Sequence, residues 1–264
     1  MPRARVAGTA VATSQRRIAS GHRELSPDWE RRNVTDRAVF RLAGALLAGG
    51  FVTNLIATHF HPSGHEDNFP VVFAKYAESG SWTAVHLVQF VGVLIVLGGF
   101  LALYRVLHSR GDVPLLAVCA LGSTIATVAI WAALQAIDGV ALKQAVDAWA
   151  KTSGPQKAVR FADASTVRWA EWGLNSYFRL LLGLSVVLFG LAIARTGITA
   201  RWLGWAAVGG GLFYMASGVA VGYAGFESDF EGAVGAAAQL LFLVFVVGVV
   251  VTGTRKPRDS GEVI

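Results

Sequence analysis

Six long apolar runs, at roughly 38–59, 83–105, 114–137, 170–194, 201–223 and 233–252, constrain this chain more than anything else in it. A membrane-crossing helix needs about 20 mainly apolar residues, because backbone polar groups in the hydrocarbon must be satisfied within the segment. Six such runs in 264 residues predict an all-α, polytopic membrane protein, a bundle of six transmembrane helices. Composition agrees: only 15% of residues are charged, against about a quarter in soluble domains. Thirty glycines suit closely packed spans, and several of the eight tryptophans stand at the ends of apolar runs, where an interfacial belt would place them.

The connections fall into two kinds. Those after the second and fourth runs, "YRVLHSRGD" (104–112) and "ARTGITAR" (194–201), are short and basic, as is "TRKPR" in the C-terminal tail. Nine arginines from Arg3 to Arg41 precede or open the first run. Connections 60–82, 138–169 and 224–232 carry most of the acidic residues instead. The positive-inside rule then puts both termini in the cytoplasm and the acidic loops outside, in the plasma membrane of a bacterium. Residues 1–36 read as an Arg-rich, mobile cytoplasmic arm, 37–253 as the transmembrane domain and 254–264 as a cytoplasmic tail. The first 35 residues lack the apolar core of a secretory signal. The flanks account for the net charge of +6, so it does not point to nucleic acid. Cys119 is the single cysteine, which excludes an intramolecular disulfide and a cysteine-based zinc site.

The 138–169 connection is the longest. "GVALKQAVDAWAK" has a helical pattern, with Val140, Ala141, Val146 and Trp149 on one face, and suits a surface helix or a lid over the bundle. "TSGPQ" breaks it; Thr152 or Ser153 can cap a helix beginning near Pro155 that runs on into the fourth span.

Polar residues enter the runs almost wholly in their outer halves. Asn54 and His61 bracket the end of the first, His86 and Gln89 open the second, and Gln135 and Asp138 end the third. Glu171, Asn175 and Arg179, at i, i+4 and i+8, form one stripe on the fourth, and Gln239 lies inside the sixth. At 1.5 Å per residue Arg179 stands about 24 Å above Arg195, roughly 6 Å inside a 30 Å core. A charge there faces the bundle interior or snorkels to the interface. The expectation is a polar pocket on the outer side over an apolar plug, with Asn54, Gln89, Gln135, Asn175, Arg179 and Gln239 as ligand-binding residues.

"HFHPSGHEDNF" (59–69) supplies three of the six histidines, then Glu66 and Asp67. Imidazole and carboxylate suit a divalent zinc, copper or iron, so His59, His61, His65, His86, Glu66 and Asp67 are candidate metal ligands. On a continuous helix His59 and His61 point about 200° apart, so a shared ion requires the helix to end near Thr58, and Pro62 favours such an ending. A solvated turn at Pro62 and Gly64 is the plainer alternative. His59 and His86 could also hold a b-type haem, a poorer fit because no deep second pair exists for electron transfer. For acid–base chemistry on a lipid-like substrate, His86, Asp138 and Glu171 are the candidate catalytic residues.

"RLAGALLAGG" opening the first span, and the outer loop leading into "VHLVQFVGVLIVLGGFLALYRVL", resemble a broad, uncharacterised family of six-helix bacterial membrane proteins. That resemblance covers about the first 140 residues and implies no activity. The residues themselves favour a metal-dependent membrane enzyme, or a metal-binding protein, acting on a lipid-like ligand. The rival reading is a non-catalytic accessory or assembly subunit, or a lipid- or quinone-binding protein. Membrane lipids and an amphiphilic small molecule are the expected partners. "GWAAVGGG" (204–211) and the Gly218/Gly222 pair offer faces for a homo-oligomer or a larger membrane complex.

Overall fold

Each apolar run is a helix in the computed structural model, which describes the backbone of residues 28–254 and side chains of residues 36–254. The spans are α1 (Asp28–His59), α3 (Trp82–Arg110), α4 (Pro114–Ala136), α6 (Gln156–Thr196), α7 (Arg201–Ala224) and α8 (Asp229–Thr254); α2 (Phe69–Glu78) and α5 (Lys143–Lys151) are shorter. The chain divides into two units, Met1–Arg37 and Ala38–Ile264, and the second is the bundle. Of the arm expected over 1–36, residues 28–36 are helical; the remainder, and 255–264 of the tail, lie outside the described residues.

Reciprocal glycine contacts hold α6 against α7. A Cβ added to Gly183 would lie 2.5 Å from the Gly211 carbonyl oxygen, and one on Gly190 2.6 Å from that of Gly204. Seven residues separate the two contacts on each helix, so the antiparallel backbones stay in contact over two turns. One heptad further on, Ser176 donates to the Gly218 carbonyl at 2.7 Å. The glycine-rich faces expected to serve an outside partner are therefore largely spent inside the bundle. Ser123 and Ser185 (2.8 Å), with Thr127, link α4 to α6 by hydroxyls that in lipid have no water to prefer.

Below the polar level is the apolar plug, where Phe100 stacks on Phe189 at 5.0 Å amid buried Leu47, Leu103, Phe245 and Val249. At the face where α1 enters and α8 ends, Arg41 donates to the Gly253 carbonyl and Arg201 to that of Ala194, satisfying helix C-terminal oxygens.

The opposite face carries a second, smaller core. α6 has 41 residues and is about 60 Å long, twice the membrane's hydrocarbon thickness, so its first turns project beyond it. The 138–151 segment continues α4 through a π-helical stretch (Ile137–Leu142) into α5 and is not a separate surface helix. A π turn leaves carbonyls without their usual donors; here Trp82 Nε1 donates to the Asp138 oxygen (2.9 Å) and Thr83 to that of Gly139 (3.0 Å). The extra residue also re-registers the face: Leu142 and Val146 are buried while Val140 is exposed. They pack with Val72, Phe73 and Tyr76 of α2, with Trp82 and with Ala164. Helix α2, unforeseen within 60–82, is started by the Asn68 side chain accepting from Val71 N, and Lys143 caps its last carbonyls, those of Tyr76 and Ala77. Neither Thr152 nor Ser153 caps α6; the Thr152 hydroxyl bonds back to Ala148.

Candidate functional site

Under this cap lies a cavity of about 510 Å³ lined by all six spans. Each span grades from polar at the cap to apolar at the floor. Along α6 the wall runs Arg168, Glu171, Asn175, Phe178 and Leu182; along α8 it runs Glu231, Gln239 and Phe242. All six expected ligand-binding residues, Asn54, Gln89, Gln135, Asn175, Arg179 and Gln239, line it, and so do Asp138 and Glu171.

At the cap end stands a tight group, of which His61 and Asp138 line the cavity and His86 does not. One ligand atom from each of His61, His86 and Asp138 lies within 4.8 Å of the other two. His86 is almost fully buried, at 2% exposure. Its Nδ1 is 2.8 Å from the Trp82 carbonyl oxygen. A carbonyl only accepts, so Nδ1 carries the proton, and in the neutral ring Nε2 presents its lone pair. Nε2 stands 3.0 Å from Asp138 Oδ2, a contact that a proton or a cation between the two atoms would hold, and Asp138 Oδ1 is buried without a hydrogen-bond partner among the described residues. Gly139 permits this approach: a Cβ there would meet His86 Cβ at 2.7 Å.

His61 reaches the group because α1 ends at His59. Two further turn bonds, Phe60 N to the Ala57 oxygen and His61 N to the Thr58 oxygen, precede Pro62, and the imidazole swings inward between Trp82 (centroids 4.9 Å apart) and His86 (5.1 Å). Burial pushes the His61 pKa below its ordinary value, the nearby Asp138 opposing and His86 reinforcing the shift. The ring is thus kept neutral, the form that ligates a metal.

The other histidine-loop candidates are placed elsewhere. His59 and His65 are exposed and outside the group, His65 on a left-handed backbone (φ 65°). Asp67 accepts from the backbone N–H groups of Phe226 (3.0 Å) and Glu227 (3.2 Å), tying two loops together. Glu66 lines the cavity but is engaged by the Tyr76 hydroxyl (2.5 Å) and by Arg168. Burial pushes the Tyr76 pKa upward, so the phenol remains a donor to that carboxylate.

Two arginine networks complete the wall. Arg168 is 3% exposed and bridges Glu171 (2.6 Å) and Glu66 (3.2 Å), with its guanidinium 5.1 Å from the Phe226 ring centre. It sits one helical turn before Glu171 and extends the 171–175–179 stripe; taking 138–169 as a loop up to the span hides it. Arg179 does not snorkel. It faces inward, with Nε donating to Asn175 (2.9 Å), one terminal nitrogen donating to Ser217 (2.5 Å), and an ion pair to Glu231.

Chemically, two imidazoles and a carboxylate are the donor set of a three-ligand zinc site with an open position. Donors on one tetrahedral ion stand about 3.4 Å apart. The widest separation here, at most 4.8 Å, would close by up to about 1.4 Å, and His61, on a turn, is the member free to move.

The family described as "Domain of unknown function (DUF4386)" has a model that matches residues 42–253, well past the first 140 on which the resemblance rests. No curated protein and no solved structure gives a significant match.

Proposed function

The chain belongs to the DUF4386 family, whose description gives no function, and we propose that its site binds a divalent metal and serves a lipid-like or amphiphilic ligand. In this reading the protein is a metal-assisted membrane enzyme. The observation that carries it is His86: with Nδ1–H committed to the Trp82 carbonyl, Nε2 lies 3.0 Å from Asp138 Oδ2 beside His61, two lone-pair atoms that only a shared proton or a cation holds together. A metal-ligating histidine is commonly oriented in this way, by its other nitrogen donating to a backbone carbonyl. Charge balance supports a cation. Four carboxyl groups line the cavity, Glu66, Asp138, Glu171 and Glu231, against two guanidiniums, Arg168 and Arg179. Both guanidiniums are paired, which leaves Asp138 beside two histidines.

Held by His61, His86 and Asp138, zinc, copper or iron would polarise a ligand carbonyl as a Lewis acid. The chain's own part is positioning and proton transfer. Arg168 fixes the Glu171 carboxylate, which can take or return a proton at the cap end of the cavity. Asn175, held by Arg179, shapes the wall below. The acidic cap then faces the outside of a bacterial plasma membrane, and the basic loops and both termini face the cytoplasm.

A second reading, an amphiphile-binding protein without catalysis, is favoured by the apolar floor of Phe51, Phe178, Leu182, Tyr214 and Phe242. Elemental analysis of protein purified without chelators separates the two. The metal reading expects about one equivalent per chain, lost in His86→Ala and in the less buried His61→Ala. Metal-free protein carrying a bound lipid leaves the second reading alone.

A further inference from the structure

We infer that the amphiphile this site takes has an uncharged, hydrogen-bonding head group, bearing hydroxyls or an amide, and not a phosphate, carboxylate or ammonium. The inference rests on the amphiphile reading above and narrows it.

The wall's charges are committed to one another. Arg168 is shared by Glu171 and Glu66, and Arg179 is held by Glu231, Ser217 and Asn175. An anionic head would have to displace a carboxylate from a mostly desolvated pair and leave that charge stranded. The same pairing takes Glu66, Glu171 and Glu231 away from an ammonium, and Asp138 Oδ2 is engaged by His86 Nε2 at 3.0 Å.

Beside Asp138 Oδ1 and Arg168 Nε, whose charged groups are already engaged through their other atoms, the buried atoms left without a partner on the wall are neutral. Asn54 Oδ1, Gln135 Oε1 and Trp131 Nε1 are buried and have no hydrogen-bond partner among the described residues. Asn54 lies seven residues before His61 on α1, and Gln135 and Trp131 lie three and seven before Asp138 on α4, so all three stand within about two helical turns of the histidine–aspartate group. Gln239 contributes a further carboxamide from α8 to the same cavity. Carboxamides and an indole present both acceptors and donors without charge, which matches hydroxyl or amide groups that also do both. Below them Phe51, Phe178, Leu182 and Phe242 offer only apolar surface for a chain. The cavity volume lies within the range of about 300–1,000 Å³ that encloses a single small ligand.

The test uses the full chain in phosphatidylcholine nanodiscs, once loaded with zinc and once treated with EDTA. Four probes share one dibrominated chain and differ in head group: a monoacylglycerol, a fatty acid, an alkyl phosphate and an alkylammonium. The signal is the saturable part of the tryptophan quenching, isolated by competition with the unbrominated form of the same probe. The monoacylglycerol should bind about tenfold or more tightly than any charged probe, because buried carboxamides reject partners that cannot pair with them. Asn54→Leu combined with Gln135→Leu should erase that preference while leaving chain binding. A charged probe binding as tightly as the monoacylglycerol, or a preference that survives the double substitution, overturns the inference and leaves the amphiphile reading intact. If no probe gives saturable, competable quenching in either metal state, the amphiphile reading falls, and the inference with it.

Discussion

Replacing Gly139 by alanine tests how the helix crossing sets the site. The new Cβ would lie 2.7 Å from His86 Cβ and 3.2 Å from its Cγ. Carbon atoms settle at about 3.5–4.0 Å, so the α3–α4 crossing or the His86 side chain must yield by about 1 Å. Packing strain of that kind costs about 1–3 kcal/mol. Metal ligands tolerate displacements of only about 0.2 Å, and losing the support that orients a ligating histidine lowers metal affinity by about 10–100-fold. The two figures are consistent, a factor of ten being about 1.4 kcal/mol. Gly139→Ala should therefore fold, unfold at a modestly lower temperature, and bind zinc about 10–100-fold more weakly in competition with a chromophoric chelator. Wild-type zinc affinity in a folded Gly139→Ala protein would refute the link between this close approach and ligand geometry.

Arg168→Gln leaves Glu171, 1% exposed, without its counter-charge and should lower stability by about 3–5 kcal/mol in denaturant unfolding. Arg168→Lys should not restore it, since one ammonium does not reproduce the fork that spans Glu171 and Glu66; a loss under about 1 kcal/mol would contradict the pairing. Gly211→Leu places a Cβ 2.6 Å from the Gly183 carbonyl oxygen and should sharply lower the unfolding temperature, whereas Gly49→Leu, with nothing within 4 Å, should not. Because burial depresses the His61 pKa, the unfolded chain binds that proton more readily than the folded one. Metal-free protein should keep the full contribution of His61 above its ordinary value near 6.5 and lose it as pH falls below, a loss visible in unfolding temperature between pH 7 and 5 and reduced in His61→Gln.

The six spans were legible because a uniformly apolar helix leaves no ambiguity of period. Their outer limits were harder to read. Once α4 and α6 leave the hydrocarbon they become amphipathic, so hydropathy stops marking them while the helices continue. The break at "TSGPQ" and the helix from Pro155 into the fourth span could be read from proline and glycine, whereas α2 was lost within a loop-like composition around Pro62 and Gly64. The π turn that brings Asp138 toward His86 has no local signature. It is stabilised by Trp82 and Thr83, 56 residues away in sequence. Three histidines within seven residues suggested a shared role, yet the choice of His61 over His59 and His65 follows from where Pro62 stops the helix. Arg168 went unseen for the opposite reason: its stripe was drawn only from the expected span boundary onward.

X-ray absorption on zinc-loaded protein addresses the histidine–aspartate group most directly. Two imidazole nitrogens and one or two oxygens at about 2.0–2.1 Å, with no sulfur, are expected. In Asp138→Asn or His61→Ala that shell should be lost or replaced by water oxygens. An all-oxygen shell in the wild type, or a spectrum unchanged by either substitution, would place the metal elsewhere and contradict the assignment of His61, His86 and Asp138.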